Sequence, residues 1–223
     1  MKISIKKNEL LSYTVDQLNN IFPINKIKKK NILGSFNIAL ERTEKCFDHI
    51  DLKLKYYIRK DKVFFNHLNS DQYCTYLYFL SNTLYNDKAN KSICEKIYYL
   101  NKMLNGLDVL YDVKMPDIFL AVHPVGTVLG KGKYSDYFTF YQSCTVGSHG
   151  DWVNKKIFYP TLGKYLTMRP GSSVLGKSVI KDFCQISINS TLMDKNLPKN
   201  TNYFGSPKNF WVNKNSKKNY YWF

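Results

Sequence analysis

Acidic residues are scarce in this chain: 17 Asp and Glu stand against 33 Lys and Arg, a formal net charge of +16 over 223 residues. A basic balance can serve nucleic acid, an anionic membrane surface or phosphorylated ligands. Here the excess is mostly Lys scattered among Asn and Ile, with two short runs at Lys26 to Lys30 and Lys214 to Lys218. It reads as a solvated surface, and no nucleic-acid partner is expected. No apolar run reaches the length of a transmembrane segment, and the opening MKISIKKNELLSYTV lacks the apolar core of a signal peptide. Five cysteines, at 46, 74, 94, 144 and 184, form no CxxC pair and leave one over, which fits a reducing cytoplasm. Four histidines, at 49, 67, 123 and 149, have no metal-ligand spacing, so no metal is expected.

What is present is a repeat of six. Leu162, Met168, Val174, Ile180, Ile186 and Leu192 recur at six-residue intervals without a slip, and small residues (Ser172, Ser178, Cys184, Ser190) stand two places before the last four. Neither helix nor strand periodicity gives this spacing. It is the signature of a parallel β-helix, in which three hexads close one triangular coil, the aliphatic position faces inward and the small one fits the corner. Earlier in the chain Val109, Met115, Ala121 and Thr127 keep the same spacing, and Phe138 and Cys144 resume it after a one-residue slip. A loop from Ser148 to Tyr159 interrupts the repeat, and Pro160 restores it. Loops that break a regular solenoid are held by rigid coils and are natural places for function.

Residues 1 to about 105 read as helices. Thr14 is the expected cap of a first helix through Val15, Leu18 and Ile21, closed by Pro23. Ser35 is the expected cap of a second, through Ile38, Ala39, Cys46 and Ile50. Tyr73, Leu77, Leu80 and Leu84 mark a third after Asp71. Ser92 and Glu95 form a capping-box pattern ahead of Ile97, Leu100 and Leu104, with Gly106 placed to stop the fourth. The fold class is therefore α+β: an α-helical domain over 1–106, a β-helix domain over 107–210 and a tail over 211–223.

One histidine opens His123-Pro124-Val125-Gly126-Thr127-Val128-Leu129-Gly130, and Gln142-Ser143-Cys144-Thr145-Val146-Gly147 follows downstream. With H-x-x-G-x-x-x-G leading into Q-S-x-T-x-G, the chain resembles the serine acetyltransferases of the hexapeptide acyltransferase family over roughly residues 65 to 210, including Gly205-Ser206-Pro207 as the G-x-P ending. The resemblance implies a left-handed coil, a homotrimer or a dimer of trimers, acetyl-CoA as co-substrate, His123 as catalytic base and Asp108, fifteen residues before it, as the carboxylate that orients the ring. Without the resemblance, His123 reads equally well as a corner histidine and Asp108 as a cap.

The chain departs from that family where the amino-acid substrate would be held. Val122 stands where the family has an aspartate, and Phe158-Tyr159 stand where it has an arginine-histidine pair. An unpaired zwitterion would be costly to desolvate there. Tyr159, with Phe158, Val122 and His149, suits a neutral polyol such as a sugar of a surface polysaccharide or its precursor; His149 reads equally well as an exposed loop residue. For the pantetheine arm and phosphates of the donor, Gly147, Gly171, Ser172, Ser173, Ser190, Lys195 and Lys208 are the candidates, Lys199 with them, each lysine being also an ordinary surface residue. The alternatives are a serine O-acetyltransferase with altered acceptor contacts and, from another class, a non-catalytic β-helix that binds an acidic partner.

Overall fold

The computed structural model describes residues 1–50, 57–59, 62–151, 153–215 and 222. Four helices precede the coils: α1 (Lys7–Ile21), α2 (Leu33–Asp48), α3 (Ser70–Asn86) and α4 (Lys91–Asn105). Their starts differ from the sequence expectation. Thr14 lies inside α1, fully buried, its hydroxyl donating to the Leu10 carbonyl at 3.0 Å; the helix begins about two turns earlier because Leu10 and Leu11 extend its apolar face. Ser35 sits in the first turn of α2 and donates to Asp87 Oδ2 at 2.8 Å instead of capping its own helix. In α4 the cap is Asn90, whose side chain accepts from the Ser92 N–H at 2.9 Å, while Glu95 pairs loosely with Lys91 at 3.7 Å. Gly106 does end the helix, in the left-handed conformation at φ 66°.

The first 105 residues are not purely helical. Strands Lys2–Ile3, Lys62–Phe65 and Ile58–Arg59 form a small mixed sheet. Val63, Phe64 and Phe65 are all buried, so this short strand shows no alternation to read.

From Leu107 the chain winds through three parallel faces. The first carries Leu107–Asp108, Thr127–Leu129, Thr145–Gly147, Ser173–Leu175 and Thr191–Met193. The second carries Phe119–Ala121, Phe138–Phe140, Thr167–Met168, Gln185–Ile186 and Thr201–Gly205, with Phe210–Lys214 added antiparallel at its edge. The third carries Thr161–Leu162, Val179–Ile180 and Asn196–Leu197. Leu162 pairs with Ile180, Met168 with Ile186 and Val174 with Leu192, so one coil takes three hexads. All six of these side chains are buried to 1% or less, and Ser172, Ser178, Cys184 and Ser190 are buried where the chain enters the next strand.

Each corner of the prism carries a column of residues with positive φ. Gly126, Ser143, Gly171 and Asn189 form one; Gly176 and Asp194 stand in a second; Tyr137, Tyr165, Phe183 and Asn200 form a third. A triangular coil must turn sharply after two or three extended residues, and left-handed residues at the corners accomplish it. In the third column the rings of Tyr137, Tyr165 and Phe183 stack at 4.4 and 4.6 Å.

Helix α3 joins the two parts. Tyr76, Leu77, Tyr78, Phe79 and Leu80 are buried on every side. The Tyr78 hydroxyl donates to the Val113 carbonyl at 2.8 Å and accepts from the Met115 N–H at 3.0 Å, and Asn82 donates to the Tyr111 carbonyl. Buried polar groups so paired fix the helix on the first coil. Among the described residues no helix is long and apolar enough to cross a membrane.

Truncation of the prism core should be costly and its surface tolerant. Ile186→Ala is expected to lower stability by roughly 2–5 kcal/mol, read from urea unfolding midpoints. Ile188→Ala, at a side chain 63% exposed, should stay within about 0.5 kcal/mol. Equal losses at the two positions would contradict the inward assignment of the hexad residue.

Candidate functional site

His123 stands at the corner between the second and first faces, held at φ 48°. Its side chain is 79% exposed. Asp71, in the first turn of α3, reaches this corner: Oδ2 accepts the His123 backbone N–H at 3.2 Å and lies 3.7 Å from Nδ1. The latter is a charge contact and too long for a hydrogen bond. Asp108 is otherwise engaged. Its carboxylate accepts from the Tyr98 hydroxyl at 2.7 Å and from Lys102 Nζ at 2.6 Å; among the described contacts none joins it to His123. Val122 is half-buried, its N–H on the Phe140 carbonyl.

The interrupting loop forms a two-stranded hairpin, His149–Asp151 against Lys156–Phe158, at the corner between the first and third faces. His149 Nδ1 lies 2.7 Å from Asp194 Oδ2. Asp194 Oδ1 accepts the Lys177 N–H at 2.9 Å. Gly176 lies beneath this pair, and a Cβ there would stand 2.2 Å from Asp194 Oδ1 and 2.8 Å from His149 Cβ. Burial alone would raise the Asp194 carboxyl; the Lys177 N–H and the His149 ring outweigh it and hold the group below its ordinary value. Phe158 is half-buried with Lys177 Nζ 5.8 Å from its ring centre, and Tyr159 is exposed. His123 and His149 thus occupy opposite ends of the first face within one chain.

The donor candidates are spread along the coils. Gly147 fits close under Leu175, and Gly171 lies beneath Asn189, in the first corner column. Ser173 is half-buried, whereas Ser172 and Ser190 are buried; the Ser190 hydroxyl already serves Gly205 N–H and the Ile188 carbonyl. These two serines offer small volume rather than free hydroxyls. Lys195 lies over Phe210 and Lys199 over Phe183, and Lys208 is exposed.

All five cysteines are buried. Burial pushes the Cys46 thiol up to about 12, and Cys74, Cys94, Cys144 and Cys184 upward as well. None is placed as a nucleophile. Among the described residues no group of three or more His, Cys, Asp or Glu could hold a metal.

Two carboxylates of this region, Asp71 and Asp194, escaped the sequence reading. Asp71 lies 52 residues before its histidine and Asp194 lies 45 after, separations at which no local pattern connects them. The one available signal was positional: Asp194 follows Leu192 by two, at the turn out of a first-face strand.

No family model matches the chain, and no curated protein matches it. Solved structures do. A serine acetyltransferase in complex with CoA superposes with a TM-score of 0.68 at 13% identity, over 93% of this chain and 84% of that one. A truncated serine acetyltransferase apoenzyme gives 0.72 at 14%, over 93% and 85%. The serine acetyltransferase of Neisseria gonorrhoeae gives 0.70 at 17%, over 96% and 81%. The chain therefore has the fold of the serine acetyltransferases, helices followed by a β-solenoid, and the left hand of the coil belongs to that fold.

The depressed Asp194 carboxyl sets a pH signature. The unfolded chain takes up this proton first, so the contribution is complete above the unfolded value of about 3.9 and is lost as pH falls through the lower folded value. Asp194→Asn should lower the denaturation midpoint at neutral pH, with the gap from wild type closing on acidification below that value. A gap that stays constant with pH would assign the loss to packing.

Proposed function

We propose that the protein is an acetyl-CoA-dependent O-acetyltransferase that acetylates a hydroxyl of a neutral polyol, a sugar of a surface polysaccharide or its precursor. The observation that carries this reading is an exposed imidazole, His123, presented at a corner of a solenoid with the serine acetyltransferase fold. One of the structures sharing that fold holds CoA, which supports acetyl-CoA as the donor. In this scheme the His123 ring takes the proton of the acceptor hydroxyl as its oxygen attacks the thioester carbon. The carbon–sulfur bond then breaks, and the ring returns the proton to the departing thiolate. The pantetheine arm runs along the coils past Gly171, Ser172 and Ser173, with Lys195 and Lys208 near the phosphates.

The acceptor contacts lie on the hairpin and the base at the other end of the face. Three residues of strand separate the two corners by about 10 Å before the corner residues are counted. A site using both is completed by a neighbouring copy, as in a trimer or a dimer of trimers. Tyr159 and Phe158 supply ring faces for a sugar at the positions where the resembled family carries an arginine-histidine pair.

A second reading has one observation in its favour. Asp71 brings a carboxylate to the His123 corner, and it could hold the ammonium of L-serine. Thiol release from acetyl-CoA with a hexose, an amino sugar and a nucleotide sugar, set against L-serine, decides between them. A dedicated rate with L-serine would overturn the sugar assignment.

His123→Ala is expected to lower turnover by roughly 10²- to 10⁴-fold while acetyl-CoA binding survives. Asp108→Asn should act in the same direction and less; set beside Asp71→Asn, it identifies which carboxylate serves the ring. Wild-type turnover in His123→Ala would remove that residue from the mechanism. Sedimentation should show a trimer or its double, and an active monomer in dilute solution would contradict the shared site.

A further inference from the structure

The hairpin does more than offer ring faces. Its first residue, His149, takes part in the one histidine–carboxylate contact at hydrogen-bond distance among the described residues, 2.7 Å from Nδ1 to Asp194 Oδ2. A carboxylate can only accept, so Nδ1 carries a proton, and in the neutral ring Nε2 keeps its lone pair. Asp194 is itself fixed by the Lys177 N–H, and Gly176 leaves the room in which the two side chains meet. The His149 side chain is 47% exposed and that of Asp194 27%, so the free face of the ring is open to a ligand. His123 has no such support: its nearest carboxylate is 3.7 Å away and Asp108 is bound to Tyr98 and Lys102.

We propose that His149 and Asp194 are a second proton-transfer pair of the acyl-transfer site, with His149 taking the proton of the acceptor hydroxyl and Asp194 positioning its ring. The inference rests on the O-acetyltransferase reading and divides between two imidazoles the work that the single-histidine scheme gives to His123. His149 Nε2 accepts the hydroxyl proton as the oxygen forms its bond to the thioester carbon. The carbon–sulfur bond breaks with its electron pair on sulfur, and the thiolate takes a proton from the imidazolium of His123 of the neighbouring copy. Both rings then return to their starting charge by exchange with water. Because His149 stands on the hairpin that carries Phe158 and Tyr159, the base lies on the acceptor side and the acid on the donor side.

Asp194→Asn is the decisive variant. Its amide oxygen can keep the Lys177 N–H, while its NH₂ turns toward Nδ1 and drives the ring proton to Nε2, so the base is lost without loss of the fold. Nitrogen-15 NMR of the histidine rings should show the tautomer change, and thiol release should show kcat lower by roughly 10²-fold or more with the KM for acetyl-CoA unchanged. His149→Ala should lose kcat comparably. Co-expressed His123→Ala and His149→Ala chains should regain about a quarter of the wild-type sites, since each site draws one corner from each of two neighbours. A tautomer change with wild-type kcat would leave the pair a structural clasp and overturn the proposal, as would the absence of any recovery in the mixed assembly. Wild-type protein that releases no thiol with any acceptor would sink the acetyltransferase reading and this inference together; active wild type with unaltered variants would sink the inference alone.

Discussion

The parallel ladder between successive coils is the constraint on which the rest depends. Every strand of the prism pairs with its counterpart one coil away, as Val174 does with both Val146 and Leu192. A slip of one residue would turn the six buried hexad side chains toward solvent and the polar ones inward. Register therefore sets not only the core but the vertical order of the corners. Asp194 stands one coil above Gly176, and the Gly147 carbonyl accepts the Gly176 N–H at 3.1 Å; the His149–Asp194 pair exists because three coils are stacked in one register.

Helix α3 transmits that order to the helical part. Its C-terminal half is tied to the first coil through Tyr78 and Asn82, and its first turn places Asp71 against the His123 backbone. The Asp71 side chain turns Oδ2 to a corner far away in sequence. A histidine in the left-handed region is held more readily when its N–H has a fixed acceptor, because the open N–H would otherwise compete for water. Packing of one helix thus bears on the geometry of the candidate site.

Much of the fold was legible. The unbroken hexads from Leu162 to Leu192 predicted inward faces and small corners, and burial of all ten residues follows that pattern. Gly106 marked the end of α4 because only a left-handed residue could turn the chain there. Helix starts were harder. Thr14 and Ser35 are good capping residues by chemistry, yet Thr14 bonds back to Leu10 inside its helix and across to Tyr76, and Ser35 bonds to Asp87. The small sheet was hidden because Val63 to Phe65 are buried on both faces. Of the site, both histidines were visible as residue types in suggestive places. Their carboxylate partners in the structure were not, since a contact between distant coils, or between a coil and a helix, leaves no periodic trace in the chain.

The buried thiols constrain the chemistry further. With every cysteine inaccessible and its thiolate disfavoured, no cysteine acyl-enzyme is available, and acetyl transfer would pass directly from donor to acceptor. Direct transfer has no covalent intermediate to divide the barrier, so its rate depends on holding two substrates and a base in one geometry. A solenoid suits that demand: its corners are defined by hydrogen-bonded coils above and below, and a side chain mounted there inherits their rigidity. His123 and His149 both sit at such corners, one braced by a helix and one by a carboxylate two coils above. A base that must be ready before the acceptor arrives is better served by the second arrangement, because its tautomer is already chosen by Asp194.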